Sequence, residues 1–121
     1  DTDLLIATNQ RNPEIFDAYR INTATGEMKL VAENPGKVEG WLTDHNGVIR
    51  VASESDGLMT KIYTRENEHS PFKQILQFDY EDDFSPLLFS ADNKILYASS
   101  NLNRDKNAIV KTDPKTGKEL E

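Results

Sequence analysis

Residues 4–26, LLIATNQRNPEIFDAYRINTATG, can be laid over residues 95–117, ILYASSNLNRDKNAIVKTDPKTG, without a gap. Identical residues recur 91 positions apart, at Leu5 and Leu96, Ala7 and Ala98, Asn12 and Asn103, Thr25 and Thr116, and Gly26 and Gly117. A third copy lies between them, because Val51-Ala52-Ser53 follows Ile6-Ala7-Thr8 by 45 residues and precedes Tyr97-Ala98-Ser99 by 46, and Tyr63 follows Tyr19 by 44. A period near 45 residues is typical of solenoids and of β-propeller blades.

The local pattern favours strands over helices at this period. Short segments rich in β-branched and aromatic residues occupy 4–8, 15–21, 28–32, 38–43, 48–53, 58–64, 73–78, 86–90, 95–99 and 108–112. Turn-forming pairs separate them, including Asn12-Pro13, Thr25-Gly26, Asn34-Pro35-Gly36, Asn46-Gly47, Asp56-Gly57, Asp92-Asn93, Asp113-Pro114 and Thr116-Gly117. The sequence therefore predicts an all-β chain with essentially no helix.

Placed on the repeat, these strands predict about two and a half four-stranded antiparallel blades of a β-propeller, in a single partial propeller domain over 1–121. A blade remnant covers about 1–33 and begins with what would be a second strand. A complete blade covers about 37–80, and a partial blade covers about 84–121, where a fourth strand should begin at Leu120-Glu121. Propellers close with roughly 4 to 8 blades, so we expect a piece of a longer protein, truncated at both ends. A small, complete β-sandwich is the alternative.

Composition limits the partners of this chain. The net charge is −7, no basic stripe is present, and no apolar run is long enough to span a bilayer. We therefore expect neither nucleic acid nor a membrane as a partner. The absence of cysteine excludes disulfides and thiolate ligands. Unpaired strand edges predict self-association of the isolated chain.

Residues 85–105, SPLLFSADNKILYASSNLNRD, resemble a blade of the N-terminal propeller of prolyl oligopeptidase family serine peptidases, in the bacterial dipeptidyl aminopeptidase and acylaminoacyl peptidase branch. That family has a Phe-Ser-x-Asp-Gly-Lys turn before a Leu-Tyr strand, and this chain has Asn93 in place of the glycine. Asn tolerates the left-handed conformation, so the turn can be kept. Residues 40–50, GWLTDHNGVIR, are similar to a blade opening in the same branch, and 19–26 and 108–119 resemble its hairpins.

A search for catalytic chemistry gives no candidate residue. The seven serines lack the flanking glycines of a Gly-x-Ser-x-Gly elbow, and the two histidines, His45 and His69, lie in turn-like segments. Four acidic residues, Asp79, Glu81, Asp82 and Asp83, lack the spacing of a calcium loop, and Glu66, Glu68 and His69 belong to an ordinary turn. The aromatic residues Trp41, Tyr63, Phe78, Phe89 and Tyr97 are expected to pack between blades, and Arg104 and Asp105 to pair or to close a loop. We assign no catalytic, cofactor-binding or metal-binding residue.

The resemblance implies a function for the parent protein and not for this chain alone. It implies a non-catalytic propeller segment that gates peptide access to a catalytic α/β-hydrolase domain in the same polypeptide, with peptide substrates reached through the parent and no cofactor. The alternative is part of a stand-alone propeller that binds proteins, similar to the translocation protein of the Tol system. A cytoplasmic and a periplasmic location in bacteria both stay open.

Overall fold

The computed structural model describes residues 3–12, 15–34 and 38–120, and these residues form antiparallel strands and connecting turns without any helix. The strands are β1 (Asp3–Asn12), β2 (Ile15–Asn22), β3 (Met28–Ala32), β4 (Val38–Thr43), β5 (Ile49–Ser55), β6 (Met59–Thr64), β7 (Lys73–Asp79), β8 (Phe84–Phe89), β9 (Leu96–Ser100), β10 (Ala108–Thr112) and β11 (Glu119–Leu120). They build three sheets of adjacent strands: a first sheet β1-β2-β3, a second sheet β4-β5-β6-β7 and a third sheet β8-β9-β10-β11. The all-β prediction is confirmed, and the four-stranded meanders are of the propeller-blade type.

The chain divides into two compact units, residues 1–38 and 39–121. The first unit holds the first sheet, and the second unit holds the second and third sheets. The boundaries predicted for the blades, and the assignment of the whole chain to one propeller domain, stay predictions. Pro13, Pro35 and Gly36, on which two of the predicted turns rest, lie outside the described residues.

Two strand boundaries carry information about the repeat. The fourth strand of the third sheet begins at Glu119 and pairs with Lys111 and Thr112, close to the predicted position. By contrast, β8 begins at Phe84, two residues before the predicted start, and ends before Ser90. Ser90 instead closes the turn, because its backbone amide donates to the carbonyl of Ile95 over 2.8 Å.

The same turn is built twice at the repeat distance of 91 residues. Gly26 donates to the carbonyl of Asn22 over 2.7 Å, and Gly117 donates to the carbonyl of Asp113 over 2.8 Å. The Asn22 and Asp113 side chains each accept from the amide two residues ahead, over 2.9 Å in both cases. These turns confirm the sequence repeat at the level of hydrogen bonds.

The gap-free overlay of 4–26 on 95–117 is wrong for one strand pair. Ala98 pairs with Val110, so the overlay would pair Ala7 with Tyr19, but Ala7 pairs with Ala18. The register of β1 is irregular between Thr8 and Asn12, and a slip of one residue turns each side chain to the opposite face. Ala7 is accordingly exposed, whereas Ala98 is buried.

The 44-residue spacing of Tyr19 and Tyr63 is not a structural equivalence either. Tyr19 pairs with Ile6, and Val51 is the residue that matches Ile6 in the repeat. Tyr63, however, pairs with Ala52, the neighbour of Val51. Because side chains alternate along a strand, the two tyrosines lie on opposite faces of their sheets.

The first unit contains a buried network of polar hydrogen bonds that the sequence pattern did not indicate. Asp17 is fully buried on β2 and accepts a hydrogen bond of 2.7 Å from the amide of Asn34. The Asn34 side chain accepts from the amide of Val38 and donates to its carbonyl, over 3.0 and 2.8 Å. Buried polar groups need such partners, so these contacts fix the exit of the chain from β3.

The core of the second unit lies between the second and third sheets. It consists of buried side chains from both sheets, namely Val51, Ile62, Phe78, Phe84, Phe89, Leu96, Ala98 and Val110. Full burial of one large apolar side chain contributes about 1.5 to 3 kcal/mol. The packing of one sheet face on the next therefore stabilises this unit.

Candidate functional site

The seam between the second and third sheets has two ends that differ in chemistry. We call the end formed by the turns at 44–48, 65–72, 90–95 and 113–118 the lower end. The upper end is formed by the connections at 56–58, 80–83 and 101–107. Because adjacent strands run antiparallel, alternate turns of each sheet meet at the same end.

His45 ties the two sheets together at the lower end. Its backbone amide donates to Oδ1 of Asn93 over 2.9 Å, and its Nε2 lies 2.8 Å from the carbonyl oxygen of Phe89. A carbonyl oxygen only accepts, so Nε2 carries the proton. The sequence predicted an ordinary turn histidine, and the structure gives His45 a structural contact across the seam.

Arg50 is a buried cation in the lower end of the seam. It donates to the carbonyls of Arg65 and Asn93 over 2.9 and 2.8 Å, and its guanidinium lies 4.5 Å from the ring centre of Phe89. The carboxylate of Asp44 lies 3.6 Å from it, with both side chains less than one-tenth exposed. A guanidinium can satisfy several carbonyls at once, so Arg50 fills a polar gap that an apolar residue could not.

Arg65 is the second buried cation and reaches back across the same sheet. It donates to the carbonyl of Ile49 over 2.7 Å, and its guanidinium lies 4.4 Å from the ring centre of Phe72. Burial lowers the pKa of Arg65, and the charge of Glu68 acts in the opposite direction. Together with Arg50 it crosslinks the ends of β5 and β6.

The lower end continues into open clefts between the two sheets. The hydroxyl of Thr64 donates to the carbonyl of Pro114, and Lys115 lies 3.5 Å from Glu66. Two adjoining clefts of about 340 and 640 Å³ share Arg50, Glu66, Pro114 and Lys115 in their walls. The walls of these clefts therefore carry both positive and negative side chains, and Lys115 and Glu66 are well exposed.

A cleft of about 440 Å³ opens at the upper end. Its lining combines hydroxyls of the second sheet, buried apolar side chains and two carboxylates, namely Ser53, Ser55, Thr60, Ile62, Phe78, Phe84, Asp82 and Asp83. Leu58 and Tyr80 border it with 67% and 73% of their surface exposed. Clefts of this size and mixed lining accommodate small molecules or peptide side chains.

The four acidic residues that lack the spacing of a calcium loop lie at the end of β7 and in the connection to β8. Asp79 caps this turn by accepting from the amide of Glu81 over 3.0 Å. Asp83 accepts from the side chain of Asn107 over 2.7 Å, and its amide donates to Asn101 over the same distance. Within residues 3–12, 15–34 and 38–120, no three potential ligands come together as a group that could hold a metal ion.

The remaining candidates of the sequence lie apart from one another. His69 is exposed in the loop after β6, where its amide donates to Asn67. Arg104 does not pair with Asp105 but with Glu119, at 2.8 Å. Among the aromatic residues, Phe78 and Phe89 pack in the seam as predicted.

Two aromatic residues make contacts within their own sheet. Trp41 packs at 6.1 Å on Phe72, with a tilt of 44° between the rings. Tyr63 has a raised pKa, because burial, then a hydrogen bond to Glu54 and the charge of Glu54, all disfavour the phenolate. Sequence reasoning did not find the roles of Arg50 and Arg65, because their burial and their carbonyl partners become visible only in the structure.

No helix in the described part of the chain has the length and apolar character to span a membrane. No protein-family model matches the sequence. The chain is 23% identical over 117 residues to dipeptidyl aminopeptidase BIII of Pseudoxanthomonas mexicana, an alignment that covers 95% of this chain and 17% of that protein. It is 29% identical over 104 residues to dipeptidyl peptidase family member 6 of Caenorhabditis elegans, covering 78% of this chain and 14% of that protein.

These comparisons support a coarse assignment. The chain spans about a sixth of the length of the curated relatives it matches. It is therefore a blade-type β-sheet segment with distant similarity to dipeptidyl peptidases. The prolyl oligopeptidase family, the acylaminoacyl peptidase branch and a bacterial origin stay predictions from the sequence motifs.

Proposed function

We propose that this chain is a non-catalytic propeller segment of a longer serine peptidase of the prolyl oligopeptidase family. In that protein it gates peptide access to an α/β-hydrolase domain elsewhere in the polypeptide. The observation that carries the proposal is the combination of two meander sheets packed face to face with similarity to a dipeptidyl aminopeptidase over 95% of the chain.

The seam supports a passive, mechanical role. Three side chains of the second sheet and its turns crosslink the lower end: His45, Arg50 and Thr64. Each contacts a backbone carbonyl of the third sheet or of its turns. Such contacts keep neighbouring blades at a fixed spacing, and a rigid ring selects substrates by the size of its openings. Steric selection needs no catalytic residue in the blades themselves.

The test compares this chain with the polypeptide encoded by its complete reading frame. We expect the complete reading frame to encode a Gly-x-Ser-x-Gly elbow followed by Asp and His. The longer protein should release p-nitroaniline from dipeptidyl p-nitroanilides, and the 121-residue chain should not. A reading frame without an elbow serine would overturn the proposal. So would hydrolysis of the p-nitroanilides by the purified 121-residue chain.

The gating part has its own readout in the longer protein. Arg50→Met should loosen the lower end of the seam and raise the rate on long or folded polypeptides relative to dipeptidyl p-nitroanilides. Arg104→Met is the matched control, because Arg104 forms an exposed ion pair with Glu119 within the third sheet and its connections. An equal effect on short and long substrates would contradict gating while leaving the peptidase assignment intact.

A further inference from the structure

The two clefts at the lower end of the seam gather positive charge in a chain that is acidic as a whole. The sequence has 14 lysines and arginines against 21 aspartates and glutamates. Among the residues that the structure describes, five cations border the clefts, but only two acids do. The cations are Arg50, Arg65, Lys73, Lys94 and Lys115, and the acids are Glu66 and Asp113.

Arg50 brings an uncommitted donor group to both clefts. Its Nε and Nη1 donate to the carbonyls of Arg65 and Asn93, and the carboxylate of Asp44 approaches Nη1. Within the described part of the chain, none of its contacts engages Nη2, and this atom is not buried. The side chain as a whole is only 8% exposed, so its contacts hold the guanidinium in place. A guanidinium fixed in this way binds a carboxylate at little further cost in side-chain freedom.

The two acids of the cleft walls leave this positive charge largely uncompensated. Asp113 caps the β10–β11 turn by accepting from the amide of Lys115 over 2.9 Å. Glu66 lies 3.5 Å from the ammonium group of Lys115, but the two side chains are 65% and 70% exposed. Ion pairs this exposed contribute little, so Lys115 can exchange Glu66 for the carboxylate of a ligand.

The shape of the clefts favours an extended occupant over a single small ion. They measure about 340 and 640 Å³ and share a wall that contains Arg50, Pro114 and Lys115. Lys73 borders only the smaller cleft and Lys94 only the larger one, so the cations are distributed along both. Alternate residues of an extended peptide place their side chains on one side about 7 Å apart. A peptide with acidic side chains at alternate positions therefore suits several cations at once.

We propose that the lower end of the seam binds an acidic, extended segment of another polypeptide. One carboxylate of the segment accepts from Nη2 of Arg50 and from Lys115, and the carboxylate two residues away pairs with Lys73. Charge-assisted hydrogen bonds from a guanidinium to a carboxylate are among the stronger polar contacts in proteins. The inference rests on the clefts and their charges, so it stands whether or not the longer protein is a peptidase.

The test titrates two peptides into the isotope-labelled 121-residue chain and follows its amide resonances by NMR at low salt. The probe is acetyl-Glu-Ser-Glu-Ser-Glu-amide, and the matched peptide has Gln at each Glu. We expect the glutamate peptide to shift the resonances of residues that border the clefts, with saturation at about millimolar concentration. The glutamine peptide should bind about tenfold more weakly or not at all, because it lacks the carboxylates.

A double variant locates the site. Lys73→Gln/Lys115→Gln keeps Arg50 and the seam intact and should weaken binding of the glutamate peptide by about tenfold. Lys111→Gln/Lys118→Gln is the matched control, because it makes the same change in net charge at two exposed lysines that border neither cleft. The control should weaken binding by about twofold or less, since distant exposed charges are screened. The dispersion of the amide resonances shows that each variant is folded.

Equal affinities for the glutamate and glutamine peptides would overturn the proposal, as would the absence of any shift at the clefts. An equal loss of affinity in the two double variants would assign binding to the net charge and not to the clefts. Inorganic phosphate is the third probe. If phosphate binds as tightly as the glutamate peptide, the clefts hold a single anion, and the extended peptide is the wrong occupant.

Discussion

The side chain of Asn93 accepts a hydrogen bond of 2.9 Å from the backbone amide of His45, and this one contact joins the first turns of two neighbouring sheets. Asn93 has a positive φ of 62°, and its amide donates to the carbonyl of Ser90 over 2.8 Å. Its own carbonyl accepts from Arg50 over 2.8 Å. Asn93 therefore closes its own turn and fixes the seam at the same time, which explains why asparagine stands where the resembling family has glycine.

Asn93→Gly separates these two roles. Glycine keeps the left-handed turn but loses the acceptor for His45, and we expect the free energy of unfolding to fall by about 1 kcal/mol. Asn93→Ala should cost about 2 kcal/mol, because a left-handed alanine adds about 1 kcal/mol of strain. Urea unfolding followed by fluorescence of Trp41, the only tryptophan, measures both variants. A glycine variant as stable as the parent would show that the contact with His45 contributes nothing.

Arg50 and Asp44 are expected to depend on each other. Arg50→Met leaves the carboxylate of Asp44 buried without its cation, and such losses typically cost about 3 kcal/mol or more. The double variant Arg50→Met/Asp44→Asn should recover part of this loss, which a double-mutant cycle measures as coupling.

Arg104→Met is the control for that prediction. Its ion pair with Glu119 is shorter, at 2.8 Å, but the side chains are 34% and 49% exposed. Solvent-exposed pairs contribute about 1 kcal/mol or less. If Arg104→Met costs as much stability as Arg50→Met, burial is not what gives the Arg50 contact its strength.

The pH dependence of stability should contain a contribution from Asp92 at acid pH. The hydroxyl of Ser90 donates to its carboxylate over 2.6 Å, the amide of Lys94 donates as well, and together they lower the pKa of Asp92. The lowered pKa contributes stability that is present above the pKa of the unfolded chain and is lost as the pH falls through the folded value. Asp92→Asn should therefore differ from the parent at pH 6 and converge with it towards pH 2.

Ser90→Ala provides the check on the cause. Without the hydroxyl, the pKa of Asp92 should move back up towards that of an ordinary aspartate. Carbon-detected NMR titration of the carboxyl group reads this directly. An unchanged pKa in Ser90→Ala would assign the shift to the backbone amide instead.

The repeat and the strand pattern were sufficient to predict the strands and most of their boundaries. The register of β1 was beyond reach, because five identities fix an alignment of residues and not the pairing of strands, and a slip of one residue leaves the sequence match intact. The seam contacts of Arg50 and Arg65 were also missed. Both arginines bind backbone carbonyls. Every residue has a backbone carbonyl, so the sequence does not show which one accepts from a given arginine.

Gly26 and Gly117 offer a matched pair for testing the packing of the third sheet on the second. Both have a positive φ, 76° and 77°, in turns with the same hydrogen bonds. A Cβ atom at Gly26 would meet no atom within 4 Å, whereas at Gly117 it would lie 2.7 Å from the carbonyl oxygen of Ile75 and 3.1 Å from Leu76. Gly26→Ala should therefore cost only the left-handed strain, about 1 kcal/mol.

Gly117→Ala should cost clearly more, because the turn must move away from β7 and loosen the seam. Overpacking of this kind typically adds about 1 to 3 kcal/mol. Urea unfolding followed by circular dichroism, which reports on the strands of both units, gives the two free energies; the fluorescence of Trp41 reports on the unit that contains Gly117. Equal losses in the two variants would mean that the β10–β11 turn does not pack on β7 in solution, and the close approach of the second and third sheets at the lower end would then be wrong.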